Sequence, residues 1–183
     1  MDDPRRLALL DLLGSHRPAD GEEAGHLERL RGLLRRPGRP FDRREFDPGH
    51  VTASAFVLHP EGGRVLMVHH RRLGIWVQPG GHVEPADPDV QTAAHREAVE
   101  ETGVGGLRPV GLLDVDVHRF PARPGGDPAH LHFDVRFAFV AGAAALAPGA
   151  EVADARWAGP ADLAGMAVDR SVWRPVGRLL DLS

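Results

Sequence analysis

The sequence contains no cysteine, which excludes a disulfide framework and a thiolate site. It has no apolar run long enough to cross a bilayer and no charged-then-apolar leader, so we expect a cytoplasmic protein with no membrane partner. The formal net charge of −4 argues against general nucleic-acid binding, because that function needs a basic face. With 183 residues, 42% of them hydrophobic, the chain can form one domain with a core.

Lysine and asparagine are missing as well, so all 22 basic residues are arginine. Isoleucine occurs once, whereas alanine, glycine, proline and arginine are abundant. This composition is typical of GC-rich coding sequence. Arginine clusters are therefore weak evidence for phosphate recognition, because the coding bias alone can produce them.

Residues 1–45 differ from the rest and are predicted to form a helical N-terminal extension. Five leucines lie within residues 7–13. A second helix is predicted to begin at Asp20, with Glu23 completing an N-cap pair, and its leucines recur at helical spacing until Pro37. We expect these leucines to be buried against the following domain or a second copy of the chain, so a homodimer is possible.

Residues 46–183 alternate extended and helical patterns, which predicts an α/β domain with one mixed sheet between helical layers. Asp87 is a candidate N-cap for a central helix that Gly103 ends. On a later strand, Leu113, Val115 and Val117 are expected to share one face. The predicted strands are 52–58, 65–68, a short piece around Trp76, 112–120 and 131–140; the predicted helices are 88–102, a short one from Pro160 and 172–180, with a loop over 148–155.

Three glutamates of the central helix, Glu97, Glu100 and Glu101, are spaced i, i+3 and i+4 and project from one side. They occupy the last two turns, where the negative end of the helix dipole disfavours carboxylates. Two such charges roughly 5 to 6 Å apart repel by on the order of 3 kcal/mol at an effective dielectric of about 20. Clustered carboxylates are ligands that Mg²⁺ or Mn²⁺ prefers. A solvated acidic face paired with arginines is the alternative.

The residues next to this helix favour the metal site. Gly80 and Gly81 precede the helix and permit close backbone approach with a free carbonyl. Arg96 adjoins the glutamates and can orient a carboxylate.

The segment from Gly81 to Val104 resembles the Nudix box, which is a glycine, an acidic residue and then Arg-Glu-apolar-x-Glu-Glu-x-Gly-apolar. The second half matches fully from Arg96 onward. Asp87 stands where the family usually has glutamate, and eight residues rather than seven separate it from Arg96.

The resemblance extends beyond the box. Trp76-x-x-Pro-Gly-Gly before it, and Glu151 and Trp157 after it, are also similar to the family. The similar region therefore covers roughly residues 51–170.

This resemblance implies a Nudix α/β/α sandwich with a mixed sheet, preceded by the helical extension. It implies that Glu97, Glu100 and Glu101 bind Mg²⁺ or Mn²⁺, with the carbonyl of Gly81 or Gly80 as a further ligand. Family members cleave a nucleoside diphosphate linked to another moiety, so we expect a pyrophosphohydrolase acting on a nucleoside diphosphate sugar, a dinucleotide or a nucleoside triphosphate. The alternative is a catalytically silent Nudix-fold nucleotide-binding module.

Other site residues are expected outside the glutamate cluster. Glu151 is the first candidate for the general base, because it lies in the loop before Trp157. Its rivals are three aspartates on the polar faces of strands, and Glu100 or Glu101 of the box. The three aspartates are Asp114, Asp116 and Asp134. The candidate substrate contacts are Trp76, Arg72 and His82.

His130, His132 and Asp134 alternate along one strand and form a second pattern with metal-binding spacing. Zinc is the ion that this pattern suits. The chain has 11 histidines, so such a spacing arises easily, and a solvated or cleft-lining face is the favoured interpretation.

Overall fold

The computed structural model describes residues 3–122, 125–166, 168 and 170–181. A seven-stranded mixed sheet lies between two helical layers, which confirms the predicted α/β/α sandwich. None of the helices within the described residues is both long and apolar enough to span a membrane. In chain order the elements are α1 (Pro4–Ser15), α2 (Gly21–Arg35), β1 (Gly49–Leu58), β2 (Val65–His70), β3 (Ile75–Val77), β4 (Gly80–His82), α3 (Val90–Thr102), β5 (Arg108–Phe120), β6 (His130–Val140), β7 (Val152–Ala158), α4 (Pro160–Gly165) and α5 (Arg170–Leu180).

Strand β1 is the centre of the sheet. It pairs in parallel with β6 along its whole length, and β5 pairs antiparallel with the outer edge of β6. The short strand β4 pairs antiparallel with the first half of β1, from Thr52 opposite His82 to Ser54 opposite Gly80. At its other end β1 contacts β2, which also pairs with β3 and β7. The β1–β4 pairing places Gly80 and Gly81 beside the central strand.

The N-terminal helices are part of the main core. Their leucines pack together with apolar residues of β1, α3 and β6, so the predicted burial against the domain is confirmed. The second core layer lies on the opposite face of the sheet, beneath α4 and α5. The buried leucines of the extension are Leu9, Leu13, Leu27, Leu30, Leu33 and Leu34.

Glu23 connects the extension to the sheet from a fully buried position. Its carboxylate lies 2.6 Å from His16 Nε2 and accepts hydrogen bonds from the Val115 backbone N–H at 3.2 Å and from Arg178 at 3.2 Å. Asp20 caps α2 as predicted, by accepting from the Glu23 N–H. Because the extension shares its core and polar contacts with residues 46–183, the division at residue 45 stays a proposal about sequence organisation.

Helix α3 begins later than predicted. Asp89 is the N-cap, because its carboxylate accepts the Thr92 N–H at 2.7 Å. The prediction of Asp87 as the cap was therefore wrong, since the Asp87 carboxylate is committed to Arg96 and to the Glu84 N–H. The predicted end is confirmed, with Gly103 in the left-handed conformation at φ 64°.

Strand β7 was not predicted. The segment expected to be a loop over 148–155 enters β7 at Val152, and this strand pairs antiparallel with β2. Small and charged residues interrupt its apolar alternation, so the sequence lacks the usual pattern of a strand.

The predicted alternation of β5 fails at one position. The register between β5 and β6 shifts between Leu112 and Asp114. Leu113 consequently packs in the core layer beneath α5, whereas Val115 and Val117 pack in the main core. A β-bulge of this kind inserts one residue into the strand, so the side chains before it point to the opposite face of the sheet.

Leu30→Ala should show that the extension is integral to the folded domain. Leu30 is fully buried, so truncation should reduce the free energy of unfolding by about 2 to 5 kcal/mol. The matched control is Leu7→Ala, because Leu7 is 67% exposed and its truncation should change stability by less than about 0.5 kcal/mol. Urea unfolding followed by circular dichroism measures both. A normal midpoint for Leu30→Ala, or separate unfolding of the extension, would contradict the shared core.

Candidate active site

A cleft of about 1330 Å³ lies beside the C-terminal half of α3. Five glutamates line it, together with segments from the extension, the β2–β3 turn and the loop before β7. The structure therefore brings together the acidic cluster of the box, Glu151, and the predicted substrate contacts Arg72 and His82. The five glutamates are Glu84, Glu97, Glu100, Glu101 and Glu151.

The two glycines of β4 permit the acidic helix to approach the sheet. A Cβ atom on Gly81 would lie 2.6 Å from the carboxyl carbon of Glu97, and one on Gly80 would lie 2.7 Å from the Ala53 carbonyl oxygen. The Gly80 N–H donates to the Glu101 carboxylate at 3.0 Å. A side chain on Gly81 would push the Glu97 carboxylate away from the strand, and one on Gly80 would clash with the neighbouring strand β1.

Arg96 contacts most of the polar groups of the box. It donates to both carboxylate oxygens of Asp87, at 3.1 and 3.0 Å, and to the His82 carbonyl at 2.9 Å. Its third nitrogen donates to Glu97 and Glu100, each at 3.0 Å. Asp87 is buried and also accepts a backbone N–H, so it holds the arginine, which in turn orients two glutamates.

The extension contacts the same loop from outside. The Arg5 guanidinium donates to the carbonyl of Glu84 at 2.9 Å and to that of Asp87 at 3.3 Å. It also lies over the ring of Phe41, 4.8 Å from the ring centroid. Helix α1 thus supports the loop that holds Arg96.

The glutamate cluster carries more negative charge than its surroundings balance. Burial raises the pKa of Glu101 to about 7, and the charges of Glu97 and Glu151 act in the same direction, whereas the Gly80 N–H lowers it. Burial also raises the pKa of Glu97. Carboxylate oxygens that repel one another while partly buried from solvent suit a divalent cation. The donor set therefore fits Mg²⁺ or Mn²⁺.

Glu151 reaches the cleft from the loop before β7. The Arg71 backbone N–H donates to its carbonyl at 3.4 Å, and the Arg71 side chain donates to the carbonyls of Ala150 and Val152. Its charge raises the pKa of both Glu97 and Glu101, so the carboxylate lies within electrostatic range of the cluster.

The three rival aspartates lie elsewhere. Arg136, which is fully buried, contacts Asp114 at 3.1 Å, Asp116 at 3.2 Å and Asp134 at 2.8 Å. Arg174 adds a second contact to Asp114 at 2.7 Å. Their carboxylates are thus neutralised by arginine inside the fold, and none of the three lines the cleft.

Trp76 also lies outside the cleft lining. Its ring packs against the guanidinium of Arg156, 4.6 Å from the ring centroid, and against the ring of His69 at 5.1 Å. The structure does not bring Trp76 to the glutamates, and a substrate contact there stays a prediction.

One segment of the site differs from the residues predicted from the sequence. Residues 38–44, between α2 and β1, line the cleft and include Arg39, Arg43 and Arg44. Four arginines lie within residues 36–44, and this local density indicates the segment only weakly, because the whole chain is rich in arginine.

Comparison with known proteins agrees with this geometry. The NUDIX domain model matches residues 48–175, which is most of the chain. The chain belongs to the NUDIX family. It is 31% identical over 113 residues, 61% of this chain and 69% of the relative, to a Bacillus subtilis (strain 168) protein named "Putative 8-oxo-dGTP diphosphatase". We conclude that it is a Nudix pyrophosphohydrolase, and Nudix hydrolases use divalent metals.

Two solved structures share the fold. A NUDIX-family hydrolase from Clostridium perfringens has a TM-score of 0.54 at 21% identity, over 77% of this chain and 98% of that one. The NUDIX domain of Shewanella oneidensis NrtR, complexed with ADP ribose, has a TM-score of 0.54 at 18% identity, over 72% of this chain and 86% of that one.

Glu101→Gln should stabilise the metal-free Nudix protein above neutral pH. The pKa of Glu101 is higher in the folded state than its ordinary value of 4.5, so its contribution to stability falls as the pH rises from about 4.5 to about 7. Removing the charge should raise the free energy of unfolding at about pH 8 in EDTA by up to about 3 kcal/mol, and by little below about pH 4.5. Urea unfolding at the two pH values measures this.

The control for this variant is Glu28→Gln, which removes a carboxylate that is 65% exposed and should change stability little at either pH. Added Mg²⁺ should stabilise the wild type more than Glu101→Gln. If Glu101→Gln is less stable than the wild type at high pH in chelator, repulsion among these carboxylates does not destabilise the metal-free protein.

Proposed function

We propose that this Nudix enzyme cleaves the pyrophosphate bond of a nucleoside diphosphate linked to another moiety. The observation that carries the proposal is the cleft itself, in which an acidic cluster and several arginines share one space. In this proposal Glu97, Glu100 and Glu101 bind Mg²⁺ or Mn²⁺, with the Gly81 carbonyl as a further ligand.

Arginines of the cleft are proposed to bind the substrate phosphates. Arg43 and Arg44 are exposed side chains of the segment 38–44, and Arg72 lies in the β2–β3 turn. A guanidinium group matches phosphate oxygens with two parallel hydrogen bonds. The substrate would then lie between these cations and the glutamate cluster, where the reacting pyrophosphate meets both.

The bound cation and two residues of the cleft are proposed to have different roles in the reaction. A divalent cation in the cluster would neutralise the pyrophosphate and lower the pKa of the attacking water. Glu151 is proposed as the general base, because it lines the cleft from a loop outside α3 and its charge raises the pKa of both Glu97 and Glu101. Arg96 is proposed as a positioning residue that holds Glu97 and Glu100 in place.

The substrate classes proposed are a nucleoside diphosphate sugar, a dinucleotide and a nucleoside triphosphate. The Bacillus subtilis relative is named for 8-oxo-dGTP, and the Shewanella oneidensis domain is complexed with ADP ribose, so both compounds belong in a first panel. His82, which lines the cleft, is proposed as a substrate contact.

Turnover of one of these substrates should require a divalent metal. We expect release of a nucleoside monophosphate from ADP-ribose or a dinucleotide, or of pyrophosphate from a triphosphate such as 8-oxo-dGTP, with Mg²⁺ or Mn²⁺ present. Excess EDTA should abolish the reaction and re-added metal should restore it, as chromatography of the products would show. Full turnover in chelator would refute the mechanism, and tight binding without turnover would favour the silent nucleotide-binding module.

Glu101→Gln should lower turnover by at least about 10²-fold, because it removes a metal ligand or base while keeping the shape of the side chain. Glu151→Gln should cause a loss of at least about 10²-fold if that residue is the base. The matched control is Glu28→Gln on the exposed face of α2, for which we expect normal turnover. Steady-state rates at saturating Mg²⁺ measure all three, and near-normal activity of Glu101→Gln would remove that residue from the catalytic site.

A further inference from the structure

Strand pairing brings several histidines together at one end of the sheet. His50 of β1 is in register with His132 of β6, and His130 lies two residues earlier on the same face of β6. One ring nitrogen of each of these three histidines lies within 4.8 Å of the others. His50 and His130 are buried, at 1% and 5% exposure. We call these three residues the histidine triad.

Backbone carbonyls fix the tautomers of two members. The Nδ1 of His50 lies 3.0 Å from the Glu45 carbonyl oxygen, and the Nδ1 of His130 lies 2.7 Å from that of Pro128. A carbonyl oxygen only accepts, so both Nδ1 atoms must carry the proton. When the ring is neutral, each Nε2 then carries no proton and has a free lone pair.

Hydrogen bonding does not satisfy these lone pairs. The Nε2 atoms of His130 and His132 lie 3.1 Å apart, and this contact is a hydrogen bond only if His132 donates. The buried Nε2 of His50 has no partner among the described residues. A buried acceptor without a partner is costly, and one hydrogen bond within the triad leaves it unsatisfied.

We propose that His50, His130 and His132 bind a zinc ion, at a site separate from the carboxylate cluster. Three imidazole nitrogens are a donor set that suits Zn²⁺ and not Mg²⁺. Zinc-bound nitrogens at about 2.0 to 2.1 Å in tetrahedral geometry lie about 3.3 Å from one another, close to the 3.1 Å between His130 and His132. In His50 and His130, donation of the Nδ1–H to a carbonyl is the arrangement that orients histidine ligands.

The charge state of the rings supports this assignment. Burial lowers the pKa of His132 to about 2 and also lowers that of His50, so both rings are neutral at physiological pH and available to a metal. The fourth position is open to water or to His118, whose ring lies 5.5 Å from that of His132 and whose Nδ1 contacts the Asp116 carboxylate at 2.9 Å.

The ligand set differs from the one that the sequence suggested. His130, His132 and Asp134 alternate on one strand, but the Asp134 carboxylate is occupied by Arg136 and by the hydroxyl of Ser54. The third ligand comes from β1 instead, through the parallel register of β1 and β6. The bound ion would link the N-terminal ends of β1 and β6. Through the hydrogen bond of His50 to the Glu45 carbonyl, it would also lie near the arginines of residues 38–44.

Zinc titration of the full chain tests the proposal. Protein stripped with chelator and dialysed into excess Mg²⁺, which occupies the carboxylate cluster, is titrated with ZnCl₂ by calorimetry. We expect one equivalent of zinc to bind and to raise the thermal midpoint. His50→Gln and His132→Gln should weaken binding by at least about 10²-fold, since even changes to groups that support ligands cost 10- to 100-fold. His95→Gln, outside the triad, is the matched control and should bind zinc normally.

Two further measurements keep the test decisive if the triad variants fold poorly. Co²⁺ should give the intense visible bands of a tetrahedral site in the wild type and in the double variant Glu97→Gln/Glu101→Gln. Nitrogen-15 NMR of the metal-free wild type should show Nδ1–H tautomers for His50 and His130. Zinc binding that disappears in the glutamate double variant and persists in His50→Gln, or no zinc binding at all, would overturn the proposal.

Discussion

Repulsion among carboxylates at the C-terminal end of α3 is the constraint around which this site is built. Glu97 and Glu101 are held against the sheet with a third charge, Glu151, close enough to raise both pKa values. The remaining groups of the box oppose that repulsion: the Gly80 N–H binds Glu101, and Arg96 binds Glu97. In the proposed function, a divalent cation bound by these carboxylates would offset their repulsion.

The other residues of the box serve the position of these charges. Glycine is required at β4 because the carboxyl of Glu97 occupies the place of a side chain on Gly81. Asp87 binds Arg96 with both oxygens, which explains why aspartate in the acidic slot and one extra residue before α3 are compatible with the motif. The insertion lies ahead of the helical turns that carry the glutamates, so their spacing is unaffected.

The parts that could be predicted are those encoded by local spacing. The i, i+3, i+4 glutamates, the glycine pair and the left-handed Gly103 are properties of one short segment, and each is found as expected. What escaped prediction depends on partners distant in sequence. The burial of Asp114 against Arg136 needs the β5–β6 register, and strand β7 exists because β2 offers an edge to it. The arginines of residues 38–44 were hidden by the composition of the chain.

The contact between Arg5 and the loop at Glu84 and Asp87 makes the N-terminal extension part of the active-site framework. Residues 48–175 carry the family pattern, yet the loop that holds Arg96 receives hydrogen bonds from a helix outside that range. Hydrogen bonds thus link α1 to the loop that holds Arg96, and Arg96 to Glu97 and Glu100. Removing α1 would leave both of these loop carbonyls without their guanidinium donor.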